Sequence, residues 1–247
     1  MNDTTSTKAM HVSESAGFND RDKLLHFIIV IQVPNVFCAG ADLRERADVP
    51  DEDVPALVGG LRSLFQRVHN LPQPVIGAID GAALGGGLEL ALACDIRFAG
   101  ILPRCQLGLI ETHWALLPGA GGSQRLPRLI GPAKAKELMF AARRLTAREA
   151  AGAGVVNQAV DPKDVPKDWC DIPAFYQATQ YALELTSKGP IALRLLKKAV
   201  DEGMDVGTLE RGLEIEGECY KQLVSTKDRK EGMAAFKEKR KPIYCGH

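Results

Sequence analysis

The chain has 247 residues, 31 Lys and Arg balanced by 31 Asp and Glu, and 45% hydrophobic residues, which fits one large domain with a sizeable core. A formal charge of zero supplies no long-range field for a phosphate backbone, which argues against nucleic acid as a partner. Apolar runs such as Phe27 to Ile31 are far shorter than the roughly 20 residues that span a bilayer, so no membrane segment is expected.

Residues 1–23 are polar and carry Asp3, Glu14, Asp20 and Asp22, with neither the apolar stretch of a secretory signal nor the bias of an Arg-rich transit peptide. They read as a mobile lead-in, and the sequence alone reads as untargeted and cytoplasmic. The β-branched run over 24–33 predicts a buried strand that stops at Pro34-Asn35. Over 53–70, Leu57, Leu61, Leu64, Phe65 and Val68 recur at helical spacing before Pro72 and Pro74. A second strand is expected at 74–80, then the glycine stretch 81–87, then a buried helix in LELALACD. Strands follow at IRFA and at CQLGLI, the latter ending at Glu111.

After Pro118 the pattern turns helical over 121–130 and 132–142, and Thr146 with Glu149 has the spacing of a capping box. A strand is expected at 155–160. The segment 161–171 holds two Pro and several charges and marks a boundary before helices at 174–187, 190–203, 207–223 and 227–238. The alternation of strands and helices up to that boundary defines an α/β class.

The six Cys form no C-x-x-C pair, which points to free thiols rather than zinc or redox chemistry. His11, His26, His69, His113 and His247 make no metal-binding spacing, and no G-x-S-x-G is present. The glycines at 81–87 match neither G-x-x-x-x-G-K-S/T nor G-x-G-x-x-G. What remains is a strand, a glycine turn and a buried helix, an arrangement that aims backbone N–H groups outward or simply permits close packing. FCAGADL at 37–43 is a second small-residue turn, so two N–H donors could face each other as an oxyanion hole. Glu89 lies inside an otherwise apolar helix, where an unpaired charge is costly, and Glu111 lies near a second glycine-rich helix start. Both could face one pocket as an acid and base pair, or either could serve as a structural partner of Arg97 or Arg125. His113, beside Glu111, is a lesser candidate for a pocket lining.

Together FCAGADL, IDGAALGGGLELALACDIRFA, GLIET and LLPGAGGSQRLPRLIG resemble the crotonase superfamily of acyl-CoA enzymes, and most of all its mitochondrial hydratase branch. The resemblance runs from about residue 24 to the C-terminus. It implies a spiral of β-β-α turns over 24–170, with the family's first turn missing, and a helical oligomerisation region over 171–247 that forms trimers or dimers of trimers. It places the oxyanion donors on the N–H groups of Ala41 and Gly86 and the catalytic carboxylates at Glu89 and Glu111. In the family's hydratase mechanism one carboxylate is the base for the oxygen that adds to a trans-2-enoyl-CoA, and the other supplies the α-proton. Ala39, Asp42, Leu43, Arg44 and Gly85 are implied to line the CoA site, with Phe236 and Lys239 reaching a CoA, whether the chain's own or a neighbour's. Residues 221–242 hold eight Lys and Arg against three Asp and Glu, a balance that suits a phosphorylated ligand or a solvated helix face.

The resemblance therefore implies a hydro-lyase of short or branched enoyl-CoA, in fatty-acid or branched-chain amino-acid catabolism. Its alternatives are an enoyl-CoA isomerase of the same fold and a truncated, catalytically impaired isoform that serves only as an oligomer partner. No metal and no cofactor beyond the CoA of the substrate are implied, and the compartment is mitochondrial. RNA binding, known in one relative, is not expected because that relative's Lys-rich helix has no counterpart here. The loop AGILPRCQ at 99–106 is longer than the family's, and Thr112-His113-Trp114 is bulkier than many relatives at the pocket wall.

Overall fold

The computed structural model describes residues 28–30 and 35–247; the readings of 1–23 and of most of 24–33 fall outside them. Contacts divide the chain into two compact units, the first taking 35–70 and 75–179 together with Ile29 and Val30, the second taking 71–74, 180–247 and Ile28.

In the first unit, successive β-β-α turns deal their first six strands alternately to two sheets. β1 (Ile28–Val30) and β2 (Val36–Cys38) precede helices α1 (Leu43–Ala47) and α2 (Val54–His69). β3 (Val75–Ile79) and β4 (Ala82–Leu84) precede α3 (Gly86–Leu92). β5 (Ile96–Gly100) and β6 (Gln106–Gly108) precede a 3₁₀ turn at Glu111–Trp114, then α4 (Gly122–Ile130) and α5 (Pro132–Phe140). Short β7 (Leu145–Thr146), α6 (Ala147–Gly152) and β8 (Gln158–Val160) complete the set. One sheet has the order β1-β3-β5-β8 and the other β2-β4-β6-β7. Ile76 lies opposite Ile96 in one, and Ala83 opposite Leu107 in the other. All five residues of β3 are buried, as a parallel strand covered on both faces requires. Ile79, Leu88, Leu107, Leu126, Leu138 and Val155 form the core between the layers.

The expected elements recur with corrected ends. The strand in CQLGLI stops at Gly108, because Glu111 already opens the 3₁₀ turn. The helix after the glycines begins at Gly86, and a further strand, β4, lies inside the glycine stretch. The strand at 155–160 shortens to β8, since the Val155 N–H donates back to the Ala150 carbonyl. The Thr146–Glu149 capping box is present in both directions. All six Cys are free thiols.

The loop over 101–105, after β5, leaves the pairings of β5 and β6 in register. Arg104 donates to the carbonyls of Asp80 and Asp171, and the Cys105 thiol donates to the Ile79 carbonyl. Asp80, fully buried, accepts the N–H groups of Ala174 and Phe175 at 2.8 and 2.9 Å. These lie in the first turn of α7 (Pro173–Leu185), so a residue far away in sequence caps that helix. Gly100 makes room for it, since a Cβ there would come 2.2 Å from Asp80 Oδ1. Burial pushes the Asp80 carboxyl up to about 6, against the two amide donors and Arg104. Asp80→Ala should cost about 1–3 kcal/mol, read by urea unfolding. A carboxyl that holds its proton more tightly when folded loses its stabilising contribution as pH rises. The gap between variant and wild type should thus narrow from about pH 4 to about pH 6, and a gap that widens over that window would refute the assignment.

The second unit contains the end of α7, then α8 (Pro190–Asp205), α9 (Leu209–Val224) and α10 (Lys227–Glu238). Helices α8 and α9 pair closely where Gly203 and Gly212 meet, a Cβ on Gly212 coming 3.3 Å from the Gly203 carbonyl oxygen. Pro190 takes the first position of α8, as its missing N–H and fixed φ favour. Among the described residues no helix is long and apolar enough to cross a membrane.

Candidate active site

Three neighbouring strands of the second sheet, β2, β4 and β6, run parallel and release their chains at the same edge. After β2 comes the turn Ala39 to Asp42, after β4 the turn Gly85-Gly86, and after β6 the segment that opens at Glu111. The Gly85 N–H donates to the Gly108 carbonyl at 2.8 Å, which ties the second exit to the third. Gly40 lies against the second exit, a Cβ there coming 3.0 Å from the Leu84 carbonyl oxygen and 3.4 Å from the Gly86 nitrogen.

Ala41 directly follows Gly40, and Gly86 is the first residue of α3. Among the described residues no hydrogen bond takes up the N–H of either. Two such amides on adjoining turns can together hold the oxygen of a polarised carbonyl.

Glu89, one turn into α3, is 3% exposed. Its Oε1 accepts the N–H groups of Ala120 and Gly122, each at 2.8 Å, at the start of α4. Both bonds fall on one oxygen, so Oε2, which lies beside Gly86, is the atom left to exchange a proton. The Arg alternative is not what the structure shows. Arg97 donates instead to the carbonyls of Val155 and Cys94, and Arg125 to Gln66 and the Ala120 carbonyl. Arg125 acts on Glu89 only through its charge.

Glu111 comes to the same place from the opposite direction. Its Oε1 lies 3.3 Å from where a Gly85 Cβ would stand, and its Oε2 is buried with no hydrogen-bond partner among the described residues. Burial pushes its carboxyl up to about 7; the charge of Glu89 adds to that, while its own N–H and Arg46 oppose it. A carboxyl of this kind is half protonated near neutrality, the condition for an acid that delivers a proton at physiological pH.

The structure thus brings together Ala41, Gly85, Gly86, Glu89 and Glu111 within the first unit. Ala39 and Arg44 are exposed nearby in sequence, Leu43 opens α1, and Asp42 caps that helix by accepting the Arg44 N–H at 2.8 Å. Phe236 and Lys239 belong to the second unit, at the end of α10. His113 is exposed and meets Trp114 edge to face at 4.9 Å. Missing from the sequence reading are the amides of Ala120 and Gly122 and the charge of Arg46. The glycine cluster at 119–122 was the available signal for the amides; nothing local marks Arg46. Among the described residues no three His, Cys, Asp or Glu gather as a metal site.

Residues 7–247 match the model of the enoyl-CoA hydratase/isomerase family. A methylglutaconyl-CoA hydratase, mitochondrial, of Mus musculus is 48% identical over 226 residues, covering 91% of this chain and 69% of its own. The human enoyl-CoA hydratase domain-containing protein 2, mitochondrial, is 50% identical over 214 residues, covering 87% and 70%. The crystal structure of an enoyl-CoA hydratase from Bacillus anthracis superposes with a TM-score of 0.81 at 46% identity, covering 90% of this chain and 82% of that one. The two interleaved sheets and the strand exits are therefore those of the crotonase fold. The chain belongs to the enoyl-CoA hydratase/isomerase family.

Proposed function

We propose that the chain is a hydro-lyase that adds water across the double bond of a short or branched trans-2-enoyl-CoA, with Glu89 as base and Glu111 as acid. The observation that carries this is the inequality of the two carboxyls. Glu89 has one oxygen committed to two amides and one free, whereas Glu111 is pushed up to about 7 with an unpartnered buried oxygen. A water between them gives a proton to Glu89 Oε2 as its oxygen adds at C3. The thioester oxygen gains negative charge against the N–H groups of Ala41 and Gly86, and Glu111 then delivers a proton to C2. The proton on Glu89 returns to Glu111 through solvent, so no cofactor beyond the CoA of the substrate is needed.

Ala39, Asp42, Leu43, Arg44 and Gly85 are assigned to the CoA site of the same turns, and Phe236 and Lys239 to a CoA bound by this chain or by a neighbouring copy. The mouse relative's name supports a branched short acyl group, and the relatives' names support a mitochondrial setting in acyl-CoA catabolism. The helical second unit, with Leu196, Met204 and Leu209 exposed, suits a homo-oligomer.

The test is hydration of a panel of trans-2-enoyl-CoA thioesters, followed by loss of the conjugated absorbance. Turnover of 3-enoyl-CoA in preference to 2-enoyl-CoA would replace this reading with an isomerase. A pH profile sharpens it: because Glu111 must enter protonated, kcat/KM for hydration should fall about tenfold per unit above about pH 7, and the reverse dehydration should fall below it. A hydration rate that rises through pH 7 would exchange the two roles.

A further inference from the structure

Glu89 is held by two peptide groups, and each of them is gripped from behind. The first joins Gly119 to Ala120. Its N–H donates to Glu89 Oε1 at 2.8 Å, and its carbonyl, pointing the opposite way across a trans peptide, accepts the Arg62 Nε–H at 2.9 Å. The second joins Gly121 to Gly122. Its N–H donates to the same oxygen at 2.8 Å, and its carbonyl accepts the N–H groups of Gln124 and Arg125 in the first turn of α4. The second peptide is therefore fixed by its own helix. The first depends on a side chain 57 residues away in sequence, on α2.

Helix α2 is shaped to reach that peptide. Val58, Leu61, Arg62, Phe65 and Gln66 share one face at three- and four-residue spacing. Phe65 is buried against Ala120, with Leu61 and Val68 packed on the same cluster. Gly119 lies so close to the helix that a Cβ there would come 2.5 Å from Val58 Cγ1. One turn on from Arg62, Gln66 Oε1 accepts from Arg125 at 2.8 Å, and Arg125 also donates to the Ala120 carbonyl at 3.2 Å. That carbonyl belongs to the intervening Ala120–Gly121 peptide, whereas Glu89 takes its two bonds from the peptides on either side. All of these groups lie in the first unit. A donor at the carbonyl end of a peptide polarises the N–H at its other end, and it also fixes the plane of the peptide. Arg62 is exposed, so water weakens the electrostatic part and the fixed plane is its main contribution.

We propose that Arg62 is a positioning residue for the reaction: by holding the Gly119–Ala120 peptide from behind, it keeps both amides on Glu89 Oε1 and leaves Oε2 as the oxygen that exchanges the proton. This rests on the hydratase reading above, and extends it to a residue that acts on Glu89 without touching it. When the grip is lost, the Ala120 N–H turns out of line, the Glu89 carboxylate gains a second orientation, and fewer molecules hold Oε2 toward the water.

The test compares wild type, Arg62→Met, Arg62→Lys and Gln66→Ala in two readouts. One is steady-state hydration of a crotonyl-type thioester, and the other is hydrogen exchange over residues 117–124 followed by mass spectrometry. Arg62→Met keeps the stem of the side chain and removes the donor. It should lower kcat about fivefold, the worth of one ordinary hydrogen bond, with KM within about twofold of wild type, and exchange over 117–124 should quicken by a similar factor. Arg62→Lys retains a donor without the fork and should recover part of both. Gln66→Ala severs the neighbouring tie between α2 and α4 but leaves the Gly119–Ala120 peptide held, so its kcat should stay within about twofold of wild type. Unchanged kcat or unchanged exchange in Arg62→Met would overturn the proposal, as would a rise in KM alone or an equal loss of kcat in Gln66→Ala. If wild type hydrates no enoyl thioester, the hydratase reading fails on its own, and exchange then decides the grip on the peptide. Faster exchange in Arg62→Met than in Gln66→Ala supports it; equal exchange in the two overturns it.

Discussion

Glu89→Gln should abolish hydration while leaving the fold in place, lowering kcat by about 10²–10⁴ for loss of a general base. The amide carbonyl of the new side chain can still accept the N–H groups of Ala120 and Gly122, so the start of α4 keeps its partner. Its NH₂ group then stands where Oε2 took the proton, and a donor cannot act as a base. Glu111→Gln should lose a comparable factor for a different reason: it keeps the shape at the buried Oε2 position but has no proton to deliver. Because the two carboxyls act on one water and one double bond, the double variant should be little worse than either single one. Steady-state hydration of a crotonyl-type thioester with matched unfolding curves measures all three. Full activity in Glu89→Gln would remove that residue from the chemistry, and turnover of 3-enoyl-CoA that depends on Glu111 alone would favour the isomerase.

The second large effect is expected from the smallest possible substitution. Gly87→Ala would place a Cβ 1.7 Å from the carbonyl oxygen of Cys38 and 2.9 Å from its Cβ. The obstacle is backbone, so no rotamer change relieves it, and the end of β2 must separate from α3. Such overpacking should cost about 3 kcal/mol or more in urea unfolding. The same displacement parts the turn bearing Ala41 from the turn bearing Gly86. Protein that still folds should therefore lose about 10²–10³ in turnover, as when an oxyanion donor is removed. Gly59→Ala is the control: it lies in α2 with nothing within 4 Å of the added carbon, and should be neutral or stabilising by about 0.5–1 kcal/mol. A Gly87→Ala variant as stable as wild type would mean that β2 and α3 do not approach as described.

What could be read from the sequence was whatever is local. Leu57, Leu61 and Leu64 announce α2 by spacing, Thr146 and Glu149 announce α6 by chemistry, and Val75 to Ile79 announce a buried strand by composition. The strand β4 stayed hidden because Ala82-Ala83-Leu84 is too short and too closely flanked by glycine to show a period; its conformation is imposed by β2 and β6 on either side. Glu89 could be singled out as an anomalous charge in an apolar helix. Its partners could not, since Ala120 and Gly122 lie some thirty residues on and act through backbone groups that every residue possesses. The same holds for Asp80 and the start of α7, where an acid near the glycine stretch finds its donors at Ala174 and Phe175. As candidates, Glu89 and Glu111 were legible in the sequence, and the roles proposed for them rest on family likeness; their difference in surroundings came only from tertiary structure.

The interleaving of strands also separates two kinds of inheritance. Every group assigned to the reaction hangs from the ends of β2, β4 and β6, whose spacing is set by main-chain ladders in one sheet, while the other sheet and its Asp80 anchor carry none of it. Thr112, His113 and Trp114, by contrast, are exposed on a single 3₁₀ turn that belongs to no ladder. Substitutions on that turn therefore leave the main-chain ladders that space the turns of Ala41, Gly86 and Glu111 intact, so the part of the chain most open to change is not the part that sets the geometry.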